Sequence, residues 1–92
     1  MTVTIHYKGQ IATEVGSGTE ELRFDEPVLV VNILKVLSEK GTEAVNDFIF
    51  DENGQTRRSL LVVVNDEQVI DFRNTLISED CAISLLPPIA GG

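Results

Sequence analysis

Few residues in this chain could do chemistry through their side chains. It contains one histidine, His6, and one cysteine, Cys81. Neither has a neighbour in sequence that would make it a base, a nucleophile or a metal ligand. There is no phosphate-binding glycine loop and no clustered set of histidine, cysteine and carboxylate, so no catalytic residue and no metal site is expected. The run LLPPIAGG, residues 85–92, has no reactive side chain at all. Gly91 and Gly92 lack a Cβ, so a pocket or narrow channel can close around their backbone and the carbonyl can be approached from every side. A free carboxylate at Gly92 would be a poor electrophile until converted into an acyl group with a good leaving group. Pro87 and Pro88 favour an extended path, which lowers the entropy lost on threading and lets residues 87–92 reach roughly 15–20 Å at about 3.1 Å per residue.

A run of this kind needs a domain to carry it. TVTIHY alternates, with Val3, Ile5 and Tyr7 on one face, and reads as a strand. Gly9, Gly16 and Gly18 supply turn chemistry in GQIATEVGSGT, a long hairpin loop leading to EELRF, where Leu22 and Phe24 alternate with charge. In DEPVLVVNILKVLSEKG the apolar residues Val30, Ile33, Leu34 and Leu37 fall at i, i+3, i+4 and i+7. Pro27 suits a first helical turn, Asp25-Glu26 would complement the helix dipole, and Gly41 suits a C-terminal cap. That spacing predicts a helix, and TEAVNDF adds a short helical turn. Asn53-Gly54 between apolar runs signals a hairpin, with Arg57-Arg58 as its solvated flank. Leu60 to Val64 reads as a strand, Asn65-Asp66-Glu67 turns into a short edge segment ending near Ile70, and CAISLL is a last strand that the prolines end. The order describes an α+β domain over residues 1–86, one main helix packed across a mixed sheet in the β-grasp arrangement, with residues 87–92 as a flexible tail.

Composition excludes several function classes. The 92 residues carry 7 Lys+Arg against 15 Asp+Glu, a net charge of −8. Phosphates would be repelled, so nucleic acid is not an expected partner. The sign fits a basic protein partner or solubility alone. No stretch reaches the length of a membrane span, the N-terminus lacks the apolar core of a signal peptide, and a lone cysteine suits a reducing, cytoplasmic setting.

The segments YKGQIATEVGSGTEEL, VVVNDE and TLISEDCAISLLPPIAGG resemble the ubiquitin-like sulfur-carrier family of the molybdopterin synthase small subunit and the thiamin sulfur carrier. The likeness covers nearly the whole chain. It departs from the family at Ser78-Glu79-Asp80, where a glycine is common, and at Cys81 and Ala82, where bulkier aliphatics are usual. The resemblance implies that the Gly92 carboxylate is adenylated with ATP by an E1-like adenylyltransferase, then converted to a thiocarboxylate. Pro87, Pro88, Ile89, Ala90 and Gly91 would thread into the partner. The carrier itself would bind no cofactor, ATP being used by the activating enzyme. Its partners would be that enzyme, a sulfur donor of cysteine desulfurase or rhodanese type, and a sulfur-accepting synthase. The resemblance also points Leu60, Val62 and Val64 towards the helix and leaves Leu61, Val63 and Leu86 as a docking patch.

Molybdopterin synthesis is favoured by the first hairpin and PPIAGG, while VVVNDEQV also resembles carriers for cysteine or homocysteine synthesis. Thiamin synthesis and tRNA thiolation stay open. So do a ubiquitin-like modifier forming isopeptide bonds and an interaction domain with an inert tail. Cys81 as a sulfur donor is outweighed by Cys81 as a small buried apolar residue, and His6 reads as a surface residue.

Overall fold

The computed structural model describes residues 1–16 and 18–87. Alternation in TVTIHY gives strand β1 (Thr2–Tyr7), burying Val3, Ile5 and Tyr7 and leaving Thr2, Thr4 and His6 half-buried on the other face. The other strands of the main sheet are β2 (Thr19–Arg23), β4 (Leu61–Val64), β5 (Glu67–Val69) and β7 (Cys81–Leu86). Their spatial order is β2-β1-β7-β4-β5. β1 and β7 run parallel at the centre, and every other pairing is antiparallel. The apolar strand Leu61–Val64, which follows directly on buried Leu60, is thus interior, and the sheet is mixed, as expected.

One face of the sheet is covered by α2 (Val30–Lys40), whose buried residues Val30, Ile33, Leu34 and Leu37 are those of the predicted helical spacing. They meet Val3, Ile5, Val62, Ile83 and Leu85, each at most 1% exposed. Fully burying each such side chain favours folding by about 1.5–3 kcal/mol. The short helix α3 (Glu43–Ile49) adds Val45 and Ile49 to this core. Thr42 caps it, its Oγ1 accepting from the Val45 N–H.

Several local expectations are corrected. Pro27 and Asp25-Glu26 lie ahead of a two-residue strand, β3 (Val28–Leu29), and α2 starts only at Val30 with no acidic residue in its first turn. Two of its free N–H groups are taken instead by main-chain carbonyls: Val30 donates to Thr75 at 2.9 Å and Val31 to Phe72 at 2.9 Å. The loop that provides them leads into β6 (Leu76–Ile77), which pairs with β3 as a second small sheet. Gly41 does follow α2 and donates to the Leu37 carbonyl, but its φ of −86° is open to any residue. Glycine is needed there for space, since a Cβ would lie 2.9 Å from the Val45 Cβ. The long loop of the first hairpin contains a helix, α1 (Gln10–Val15), anchored by buried Ile11. Asn53-Gly54 does sit in a turn, with Gly54 at φ +76°, but no hairpin forms: α3 occupies one flank and a single bridge, Phe50 to Thr56, closes it.

Candidate functional site

The place where the chain leaves the sheet is built by β7 and its neighbours. Leu86, its last residue, lies opposite Leu61 of β4. On the other side the Lys8 N–H donates to the Leu85 carbonyl at 3.0 Å, extending the β1 ladder by one bond. Pro87 follows, half-buried, and cannot donate, so pairing stops there. Beneath it sits Gly9, at φ +71° and ψ −150°, a conformation reserved almost wholly for glycine. A Cβ on Gly9 would lie 2.8 Å from the Pro87 Cγ. The sequence offered no signal for this pairing beyond a glycine after a strand, because residues 9 and 87 meet only through the β1–β7 pairing. Pro88, Ile89, Ala90, Gly91 and Gly92 lie outside the described residues.

Leu61, Val63 and Leu86 come together on the sheet face opposite α2, all half-buried. Leu61 faces Leu86 and Val63 faces Ser84 across the β4–β7 pair. Leu60 and Val62 point the other way and are buried at 5% and 0% exposure. The outer face grades from this apolar corner to a polar one, with Thr4 opposite Glu21 and His6 opposite Thr19 on β1 and β2.

Asn65 and Asp66 link β4 to β5 at φ +46° and +74°, the left-handed pair that a two-residue hairpin requires. Asn65 also exchanges hydrogen bonds with Ala82: its N–H donates to the Ala82 carbonyl, and its Oδ1 accepts from the Ala82 N–H, both at 3.0 Å. The Asn that ends VVVN therefore lengthens the β4–β7 ladder by one position. Before β7, Asp80 Oδ1 accepts from the Thr2 N–H at 2.7 Å, and no residue of Ser78-Glu79-Asp80 has a positive φ.

The two reactive side chains are kept apart. Cys81, half-buried, pairs with Val3 and shares its face, while His6 lies on the outer face opposite Ser84. Burial pushes the Cys81 thiol up, and the charges of Asp80 and Glu79 act in the same direction, so the nucleophilic thiolate is disfavoured. Among the described residues no three His, Cys, Asp or Glu side chains cluster as a metal site would need. No helix among them is long and apolar enough to cross a membrane. One polar network escaped the sequence reading: Tyr7 donates to Glu20 Oε2 at 3.0 Å, and Lys40 Nζ lies 3.1 Å from Glu20 Oε1, tying β1 and β2 to the end of α2. Its members are 33 positions apart and only the fold joins them.

The model of the ThiS family matches residues 5–92, almost the whole chain and the full run to Gly92. The chain belongs to the ThiS family. Members of this ubiquitin-like sulfur-carrier family are small carrier proteins that act with partner enzymes. No curated protein matches the chain in sequence. Among solved structures it is similar to SAMP1 from Haloferax volcanii, at 22% identity over 100% of both chains with a TM-score of 0.83. It is similar to a chain in the complex of molybdopterin-converting factor subunits 1 and 2 from Helicobacter pylori, at 21% identity over 100% of both chains and a TM-score of 0.66. A chain in the Amycolatopsis orientalis BexX/CysO complex matches at 22% identity over 98% of this chain and 99% of that one, with a TM-score of 0.73. These likenesses establish the β-grasp fold of this ThiS-family chain.

Proposed function

We propose that this ThiS-family protein is a sulfur carrier whose Gly92 carboxylate attacks ATP on an E1-like adenylyltransferase. Pyrophosphate leaves, and a sulfur nucleophile then displaces AMP from the acyl carbon to give a thiocarboxylate. Residues 1–86 form the body, and residues 87–92 form the tail that threads into the partner. The observation that carries this reading is the family match running through to Gly92 on a fold whose central strand leads straight into Pro87. Leu61, Val63 and Leu86 form the docking patch beside that exit. The sulfur comes from a desulfurase or rhodanese-type donor and passes to a synthase in the cytoplasm. Molybdopterin synthesis is the favoured pathway, consistent with the likeness to the converting-factor chain. The likeness to SAMP1 supports a second reading, conjugation of the same activated glycine to lysines.

Adenylation is reversible, so a chain ending at Gly92 should support pyrophosphate exchange with its activating enzyme and ATP. Deleting Gly92, or adding one bulky residue after it, should abolish exchange and leave the fold intact. Unchanged exchange by the truncated chain would overturn the carrier reading. Intact mass after recovery from cells separates the two outcomes: a sulfur-for-oxygen exchange marks the carrier, and ladders of conjugates mark the modifier.

A further inference from the structure

Three of the chain's four arginines, Arg57, Arg58 and Arg73, line one open groove at the β5 edge of the sheet. Asp71 is the one carboxylate among its lining residues, in a chain whose net charge is −8. Arg57 is pinned, its Nε–H donating to the Asp47 carbonyl. Arg58 and Arg73 are exposed and make no ion pair with a described residue. Beside these cations the groove mixes polar and apolar side chains: Thr56 and Gln68 line it together with Leu61, and Ile70 stands 82% exposed. A large aliphatic side chain that open to water, in one groove with guanidinium groups that no described carboxylate pairs, has the composition of an uncovered contact surface.

We propose that this groove binds an extended acidic segment of a partner protein, with carboxylates on Arg58 and Arg73 and an apolar side chain over Ile70 and Leu61. Three features select that occupant. Guanidinium forks bind carboxylates in bidentate fashion, so the charge matches. The rest of this acidic surface repels such a segment, which confines it to the groove and sets its register. An extended form fits because β5 is the edge strand of the sheet, with no strand among the described residues paired to its outer side. Leu61 also faces Leu86, so the groove is continuous with the apolar row that ends at the tail. The groove's chemistry is independent of the carrier reading and can be tested without any sulfur-transfer enzyme.

The test is an NMR titration of the full chain with short synthetic probes: a peptide alternating Glu and Leu, one with Lys in place of Glu, one with Ser in place of Leu, and oligo-dT. The Glu/Leu peptide should shift the amides of residues 57–61 and 68–73, and added salt should weaken it. Arg58→Glu with Arg73→Glu should reduce its affinity about tenfold or more. Ile70→Ser should weaken it while leaving the salt dependence unchanged. All substituted side chains are exposed, and Arg58→Gln with Arg73→Gln replaces the reversal pair if that pair fails to fold. Equal binding of the Lys/Leu peptide, binding of oligo-dT in the groove, Glu/Leu shifts confined to other surfaces, or no shift with any probe would each overturn the proposal.

Discussion

Gly9 holds the start of the tail. Any side chain there meets two obstacles: a backbone conformation that only glycine adopts readily, and the Pro87 ring 2.8 Å from the position of a Cβ. Gly9→Ala should therefore lower stability by about 1–3 kcal/mol in urea melts and also slow pyrophosphate exchange by turning Pro87 aside. Pro87→Ala in the same chain removes the Cγ, so it should restore exchange more than it restores stability; equal recovery of both would mean that Gly9 has no part in aiming the tail. Asn65 is a second single-residue device. Asn65→Ala loses the bond to the Ala82 N–H and strains a φ of +46°, whereas Asn65→Gly loses only the bond. Thermal melts should rank wild type above Gly and Gly above Ala, with Ala down by about 1–3 kcal/mol. Asn65 could be read from VVVNDE because turn chemistry is local. Gly9 could not, because its requirement comes from a residue 78 positions away.

Elements with a strong internal period were legible, and those that owe their existence to a neighbour were not. The spacing of Val30, Ile33, Leu34 and Leu37 identifies α2 without help, and the alternation in β1 and β7 does the same. β3 and β6 are two residues each and exist only as each other's partner. They explain why the helix begins three residues after Pro27: its first turn is satisfied by the carbonyls of Phe72 and Thr75, not by a local cap. α1 has a single buried anchor, Ile11, too little to show a period. For β4, parity is the point on which the proposed docking surface depends. Val62 is fully buried, so Val62→Asp should cost more than about 4 kcal/mol by burying an unpaired charge. Leu61→Asp should leave urea melts nearly unchanged and weaken binding of the activating enzyme by more than about 1–2 kcal/mol, as a central contact does. The reverse pattern would place the docking face on the wrong side of the sheet.

At the scale of the molecule, the Tyr7–Glu20–Lys40 network fastens the first hairpin to the far end of the helix layer, and it ties global stability to pH. Burial raises the Tyr7 phenol above its ordinary value, with the hydrogen bond to Glu20 and that carboxylate's charge adding to the effect. The folded state then holds the proton more tightly than the unfolded chain does. Stability from this source is complete below about pH 10 and declines as pH rises past it. Tyr7→Phe should flatten that alkaline decline, measured in a Cys81→Ala background because the thiol is displaced in the same direction. The parallel pairing of β1 with β7 carries a different kind of consequence. The chain enters at the start of one strand and leaves at the end of the other, so opposed tension at the two ends slides these central strands lengthwise past each other. Their hydrogen bonds lie across the pull and share the load together, where an antiparallel pair pulled from one end would open bond by bond. A partner that drags the tail away from a body held elsewhere would thus load the β1–β7 bonds together, and pulling from Met1 and Pro87 in an optical trap should require a markedly higher rupture force than pulling across the β4–β5 hairpin.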